Sequence, residues 1–174
     1  MQTILETQRL IFRQVQPSDA EAMFEMDSDP AVHLYLGNNP LKQIDEVYPL
    51  IENLQWQYKE FGMARMATIL KETGEFIGWA GLKRERNLPD RGVFIDLGYR
   101  FLKKHWGKGY ATEVAQAWVE YGFNVMKLEK INAYIDVDNI ASRKAIEKAG
   151  LKFIETFIED GVEEAWYEMK NPNL

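Results

Sequence analysis

Two glycines flank a lysine in the stretch Trp106-Gly107-Lys108-Gly109-Tyr110-Ala111. An apolar run over residues 93–101 predicts a strand before it, and an amphipathic segment ending near Val125 predicts a helix after it. Glycine lets the backbone turn tightly and approach a ligand closely. The first amides of a helix lack partners within the helix and lie at the positive end of its dipole. The stretch is therefore a candidate anion site, most naturally for a phosphate.

Three interpretations of these glycines compete. A P-loop requires G-x-x-x-x-G-K-[ST], and that spacing fails because Gly109 and Tyr110 follow Lys108. A dinucleotide fingerprint, G-x-G-x-x-G, is partly matched: Thr112 stands at the third glycine, and Glu129 is the acidic residue expected about 20 positions later. The third interpretation is that the glycines only form a turn. The triplet alone does not decide between the last two.

Composition narrows the classes of partner and chemistry. The 174 residues include 27 acidic and 21 basic side chains, a formal charge of −6, which disfavours nucleic acid and anionic membranes and favours cationic partners such as amines. The chain has no cysteine, so disulfides, acyl-cysteine intermediates and thiolate metal sites are excluded. The two histidines, His33 and His105, are not part of any metal-binding motif, and we predict no metal.

The length and the N-terminal sequence predict one soluble, unprocessed, cytoplasmic domain spanning residues 1–174. No window is apolar over the length needed to span a bilayer, and no basic segment precedes an apolar one at the N-terminus. We therefore expect no membrane partner.

The periodicity of apolar residues predicts the order β-α-α-β-β-β-α-β-α-β-β, an α/β (α+β) mixed sheet with helices on its faces. In the second helix, Pro49 should interrupt the pattern, and Trp56 and Tyr58 are expected in the core. The predicted strands cover residues 10–13, 63–70, 75–82, 93–101, 131–137, 151–158 and 162–169. The predicted helices cover residues 20–27, 43–61, about 110–125 and about 139–149.

The residues around the glycines resemble the acetyl-CoA pyrophosphate loop of the GNAT N-acetyltransferases, whose signature is [QR]-x-x-G-x-[GA]. Trp106 replaces the Gln or Arg, as in the branch that resembles ribosomal-protein alanine N-acetyltransferases. The resemblance continues, in the family's order, through residues 6–13, 18–20, 76–82, 96–99 and 139–151. It therefore covers nearly the whole chain.

The resemblance implies the acyl-CoA N-acyltransferase fold, with a sheet splayed between the strands at 93–101 and 131–137. The pantetheine arm of acetyl-CoA would lie in this cleft, held mainly by backbone groups. The implied cofactor-binding residues are Leu97, Tyr99, Trp106, Gly107, Lys108, Gly109, Tyr110, Ala111, Thr112, Asn139 and Ser142.

N-acetyl transfer requires a deprotonated amine, a polarised thioester carbonyl and a proton for the departing thiolate. With no cysteine and no G-x-S-x-G elbow, direct transfer in a ternary complex is the simpler mechanism. Alternation along its strand puts Asp96 on the face opposite Leu97 and Tyr99. Asp96 is a base with a raised pKa, a solvated strand residue or a partner of Arg100. The resemblance makes Ser142 a candidate proton donor. Asn139 precedes a predicted helix and is a candidate N-cap, and the resemblance implies that it also contacts the cofactor.

The acceptor amine is left open. Protein N-terminal amines, polyamines and aminoglycosides all suit an acidic enzyme, and a CoA-binding module without catalysis is the alternative of another class. By resemblance, His33 lies on the acceptor side and is a candidate substrate contact, whereas His105 is expected to be structural. The acidic hairpin at residues 159–164 is either a solvated turn or an attractor of cations. The exposed terminal strands are compatible with a homodimer.

Overall fold

An eight-stranded mixed sheet forms the centre of the computed structural model, which describes residues 2–86 and 88–174. Met1, and Asn87 of the polar loop after the fourth strand, lie outside the described residues. In chain order the strands are β1 Thr3–Glu6, β2 Leu10–Arg13, β3 Met66–Leu70, β4 Phe76–Glu85, β5 Phe94–Phe101, β6 Lys130–Asp136, β7 Lys152–Glu159 and β8 Val162–Lys170.

Four α-helices connect these strands: α1 Ala20–Asp27, α2 Val47–Phe61, α3 Tyr110–Asn124 and α4 Ile140–Lys148. Pro49 does not interrupt α2, contrary to expectation, because it lies in the first turn, where a missing backbone N–H leaves no helical hydrogen bond unmade. The predicted stop at Gly62 is confirmed: it adopts a left-handed conformation, with φ of 68°, and its N–H binds the carbonyl of Tyr58.

The strand order across the sheet is β1-β2-β3-β4-β5-β6-β8-β7, and β5 and β6 are its parallel neighbours. The predicted mixed sheet and the order of its elements are confirmed, with one addition, β1, which pairs with β2. The predicted turn between the last two strands is also confirmed. Asp160 and Gly161 have φ of 47° and 80°, the two positive values of a tight hairpin turn.

Each face of the sheet has its own core. On one face, α3 and α4 pack against Phe12, Leu97 and Ile131, with the Trp118 ring edge-on to Phe12 at 5.4 Å between centroids. On the other face, α1 and α2 bury Met23, Met26 and Ile51 together with Trp79. Each large side chain buried in this way stabilises the fold by about 1.5–3 kcal/mol. Because β5 alternates between these faces, Tyr99 and Asp96 lie on opposite sides of the sheet.

Within residues 2–86 and 88–174, no helix is both long enough and apolar enough to cross a membrane.

Candidate active site

The glycine stretch lies at the carboxyl end of β5. A 3₁₀ turn, Lys103–His105, follows this strand, and α3 begins at Tyr110. Gly107 and Gly109 have φ of 71° and 80°, a conformation that glycine adopts without a Cβ clash. Among the residues that the structure describes, no side chain caps the start of α3, so its first amides remain available to an anion.

Trp106 ties this loop to β5. Its indole Nε1 donates to the carbonyl of Phe101 at 2.9 Å, and 46% of the residue remains exposed. An indole can hold the loop in this way without supplying charge. Trp106 therefore has a structural contact at the position where the family signature has Gln or Arg.

A cleft opens in the sheet next to the loop. The parallel strands β5 and β6 share one register pair, Asp96 with Asn132, although β5 continues to Phe101 and β6 to Asp136. Strands that separate leave backbone N–H and C=O groups without sheet partners. The β5 edge beyond Asp96, which includes Leu97 and Tyr99, therefore offers backbone groups to an extended ligand.

Two hydroxyl groups meet where α4 approaches this cleft. The Tyr99 hydroxyl lies 3.0 Å from Ser142 Oγ and 3.2 Å from the Ser142 carbonyl oxygen. Burial raises the pKa of Tyr99 to about 12, so this phenol holds its proton at neutral pH. The predicted cap is confirmed as well: Asn139 Oδ1 accepts from the Ser142 backbone N–H at 3.2 Å.

Asp96 is buried on the opposite face and forms an ion pair with Arg65. The same guanidinium donates from Nη1 to the carbonyls of Gly81, at 2.5 Å, and Asp96, at 2.7 Å. Burial raises the pKa of the Asp96 carboxyl, and the charge of Arg65 opposes that rise. The expected alternative partner, Arg100, instead binds Asp27 at 2.6 Å.

Glu164 is a candidate base that the sequence analysis placed only in the acidic hairpin at residues 159–164. It lies opposite Asp136 in the pairing of β6 with β8. Burial, with the nearby charges of Asp136, Glu159 and Asp96, raises the pKa of Glu164 to about 7. A carboxyl group with this pKa can take up and release a proton near neutral pH. The sequence contains one signal for this position. Glu164 and Trp166 are two residues apart on β8, so their side chains lie on the same face of the sheet.

The two histidines occupy different surroundings. His33 is buried beside Asp27, with 3.9 Å between Nε2 and Oδ1. Burial, together with the charge of Arg100, lowers the pKa of His33, so the ring is neutral at pH 7. His105 is buried in the 3₁₀ turn, with Nε2 3.4 Å from a carboxylate oxygen of Glu75, which agrees with the structural role expected for it.

The dinucleotide interpretation fails on topology. Glu129 directly precedes β6, whereas the glycines follow the parallel strand β5, so the two lie at opposite ends of the strand pair. A cavity of about 590 Å³ occurs at the Glu129 end, lined by Arg91, Lys127 and Trp166 among others. It is separate from the glycine loop.

Comparisons with known proteins agree with this geometry. Residues 9–152 match the family model described as "Acetyltransferase (GNAT) domain". The chain is 34% identical to the uncharacterized N-acetyltransferase YoaA of Bacillus subtilis (strain 168), over 86% of this chain and 82% of that protein.

Solved structures show the same fold. A GNAT-family acetyltransferase from Bacillus anthracis superimposes with a TM-score of 0.80 at 25% identity, covering 96% of this chain and 98% of that one. A spermidine N-acetyltransferase from Vibrio cholerae, solved with CoA and spermine, gives a TM-score of 0.78 at 18% identity, covering 95% and 97%.

Proposed function

Since this chain belongs to the GNAT acetyltransferase family and is an acetyl-CoA-dependent N-acetyltransferase, we propose that its acceptor is the N-terminal amine of a protein, such as a ribosomal protein. One observation carries this choice of acceptor. Leu34, Tyr35 and Leu36 are consecutive, apolar and exposed, by 59%, 36% and 44%, directly after the buried His33. A contiguous exposed apolar segment suits contact with a polypeptide, and a small polycation would not need it.

A small polyamine is the second candidate acceptor. The carboxylates of Asp136, Glu159 and Glu164 lie close enough to influence one another, which favours a cationic ligand. A screen by mass spectrometry would separate the two acceptors, with protein N-terminal peptides, spermidine and an aminoglycoside offered in parallel. Acetylation of spermidine in preference to every peptide would reject the protein acceptor.

The described residues fit acetyl-CoA. We assign the pyrophosphate to the uncapped amides of the loop and the first turn of α3, from Gly107 to Thr112, with the charge of Lys108 nearby. Trp106, Tyr110 and Ala111 shape the loop around it. The unpaired β5 edge at Leu97 and Tyr99 would bind the pantetheine arm, and Asn139 would contact this arm at the start of α4.

Acetyl-CoA, when bound, supplies the acetyl group as a thioester, whose C–S bond breaks as the amine nitrogen forms the new amide bond. We assign the uptake of the amine proton to Glu164, because its pKa of about 7 suits a base at neutral pH. Unlike Asp96, it forms no ion pair with an arginine in the described part of the chain. Asp96, the alternative base, adds a negative charge that raises the pKa of Glu164. The Ser142 hydroxyl, supported by Tyr99, would protonate the departing thiolate. His33 is buried, so we place it behind the exposed segment 34–36 that would contact the acceptor.

The first test of the base is the variant Glu164→Gln. In the wild-type enzyme, kcat/KM should rise with pH through an inflection near pH 7, because the base must be deprotonated. In the variant this inflection should disappear, and kcat/KM at pH 8 should fall about 100-fold, the lower range for general base catalysis. Glu163→Gln, at an exposed neighbouring position, is the matched control. An unchanged pH profile in Glu164→Gln would move the role to Asp96.

The same residue links stability to pH. The pKa of Glu164 is higher in the folded protein, about 7, than its ordinary 4.5, so the folded state binds this proton more tightly. Wild-type stability should therefore decrease as pH rises from about 4.5 to about 7, and Glu164→Gln should remove part of that decrease. Urea unfolding at pH 5 and pH 8 measures the difference.

Ser142→Ala tests the proton donor. The cap at Asn139 uses the Ser142 backbone N–H, so the substitution removes the hydroxyl and leaves the start of α4 intact. We expect kcat to fall about tenfold, less than the full effect of a lost general acid because Tyr99 remains close to the site. The Kd for CoA, measured by calorimetry, should stay unchanged. Equal kcat values in wild type and variant would remove Ser142 from the mechanism.

A further inference from the structure

An arginine from the beginning of the chain reaches into the glycine loop. Arg9, in the turn between β1 and β2, donates from Nη1 to the backbone carbonyl of Lys108 at 2.8 Å, across 99 residues of sequence. Lys108 stands between the two glycines, so this bond acts at the centre of the loop. The backbone of a glycine rotates easily. A hydrogen bond that fixes the carbonyl between two glycines therefore restricts this loop more than it would restrict a stiffer segment.

The guanidinium of Arg9 is itself held in place. Its Nε and Nη2 both lie 2.6 Å from Glu113 Oε2, on the first turn of α3, and it stacks over the Tyr110 ring at 4.4 Å. Glu113 Oε1 accepts from Thr7 Oγ1 at 2.6 Å and from the Arg9 backbone N–H at 3.1 Å. The segment Thr7–Arg9 and the start of α3 thus form one connected network.

Glu113 remains charged in this network. Burial alone would raise the pKa of Glu113, but the hydrogen bonds from Thr7 and Arg9 outweigh that effect and hold the pKa below its usual value. The carboxylate therefore orients the planar guanidinium at neutral pH through charge-assisted hydrogen bonds, which are stronger than neutral ones. Each of the three guanidinium nitrogens of Arg9 has a protein partner: Nη1 binds the loop carbonyl, and Nε and Nη2 bind Glu113.

The peptide between Lys108 and Gly109 explains what this bond achieves. In a trans peptide the C=O and the N–H point in opposite directions, and the described chain has no cis peptide bond. With the Lys108 carbonyl directed at Arg9, the Gly109 N–H points away from Arg9. That amide is one of the donors available at the uncapped start of α3.

We propose that Arg9, oriented by Glu113 and Thr7, is a positioning residue that fixes the Lys108–Gly109 peptide so that the Gly109 N–H faces the pyrophosphate. This inference rests on the proposed binding of acetyl-CoA at the loop. It gives a physical role to the segment Glu6-Thr7-Gln8-Arg9-Leu10, whose sequence alone suggested no chemistry.

The test compares CoA with pantetheine, which lacks the pyrophosphate and the adenosine. Arg9→Gln should weaken CoA binding about tenfold, the size of one lost charge-assisted hydrogen bond. The affinity for pantetheine, measured by competition against CoA, should change less than about twofold, because pantetheine does not reach the loop amides. A general loss of structure would weaken both ligands alike. Lys130→Gln, which breaks the ion pair of Lys130 with Glu168 away from the glycine loop, is the control and should leave both affinities unchanged.

Glu113→Gln separates positioning from direct phosphate binding. If Arg9 positions the peptide, losing the carboxylate should weaken CoA binding, and the double variant with Arg9→Gln should be no weaker than Arg9→Gln alone. If Arg9 instead binds the phosphate directly, freeing it from Glu113 should tighten CoA binding, which would overturn the inference. Equal CoA affinity in wild type and Arg9→Gln would overturn it too. A wild-type protein that binds no CoA would instead remove the proposed function itself.

Discussion

Replacing Gly109 by valine should weaken CoA binding about 100-fold, equivalent to ~3 kcal/mol. Gly109 has φ of 80°, and a β-branched residue is strongly disfavoured there. Contact with the protein is not the cause, because an added Cβ would meet only Arg9 Nη2, at an ordinary 3.5 Å. The strained backbone should rotate instead, turning the amides of the loop away from the pyrophosphate and projecting a branched side chain from the loop.

Calorimetry with CoA measures the effect, and the chain offers a matched control. Gly161 has the same φ of 80°, with nothing within 4 Å of an added Cβ, and lies in the hairpin between β7 and β8. Gly161→Val should carry a similar backbone strain and leave the Kd for CoA unchanged. If Gly109→Val bound CoA within about twofold of wild type, the loop would not be the pyrophosphate site.

Arg65→Met should destabilise the protein by about 3–5 kcal/mol, the usual cost of leaving a buried charge without its partner. Asp96 is buried, and Arg65 supplies its ion pair and binds two backbone carbonyls besides. Urea unfolding at pH 7 measures the loss. The exposed pair of Lys71 with Glu6 provides the control, since Lys71→Met should cost no more than about 1 kcal/mol.

A second variant and the pH dependence identify the cause. Asp96→Asn in the Arg65→Met background removes the unpaired charge and should recover part of the lost stability. Without Arg65 to oppose burial, the pKa of Asp96 should rise further above its unfolded value. The single variant should therefore lose more stability than wild type as pH rises. If Arg65→Met were as stable as wild type at pH 7, Asp96 would not be charged in the folded protein.

The sequence determined the features that depend on neighbouring residues. Left-handed glycines, the Asn139 cap and the Asp160-Gly161 turn are set by the conformations that a few adjacent residues can adopt, so a short stretch of sequence is enough to locate each of them. Strand β1 was missed because Thr3–Glu6 lies exposed or half-buried at the edge of the sheet, and its residues show no alternation of apolar and polar side chains. The arrangement of motifs along the chain was enough to indicate the family.

Only the tertiary structure decided which groups meet across the sheet. On α2, Tyr58 is buried as predicted. The prediction for Trp56 was wrong, since this residue is 50% exposed. The packing of α2 against α1 and the sheet selects which face of the helix is covered. The partner of Asp96 is Arg65 since strand register, not sequence spacing, brings them together.

Glu164 and Arg9 show the same limit for the active site. The pKa of Glu164 depends on the water it loses and on carboxylates from other strands, and neither can be inferred from its own segment. Arg9 reaches the loop across 99 residues, a contact that exists only once β2 and α3 are packed together. The glycine loop is encoded locally because its requirement is a backbone angle. The electrostatic effect of the surrounding charges is not encoded locally, because electrostatic energy depends on distances that only the folded chain defines.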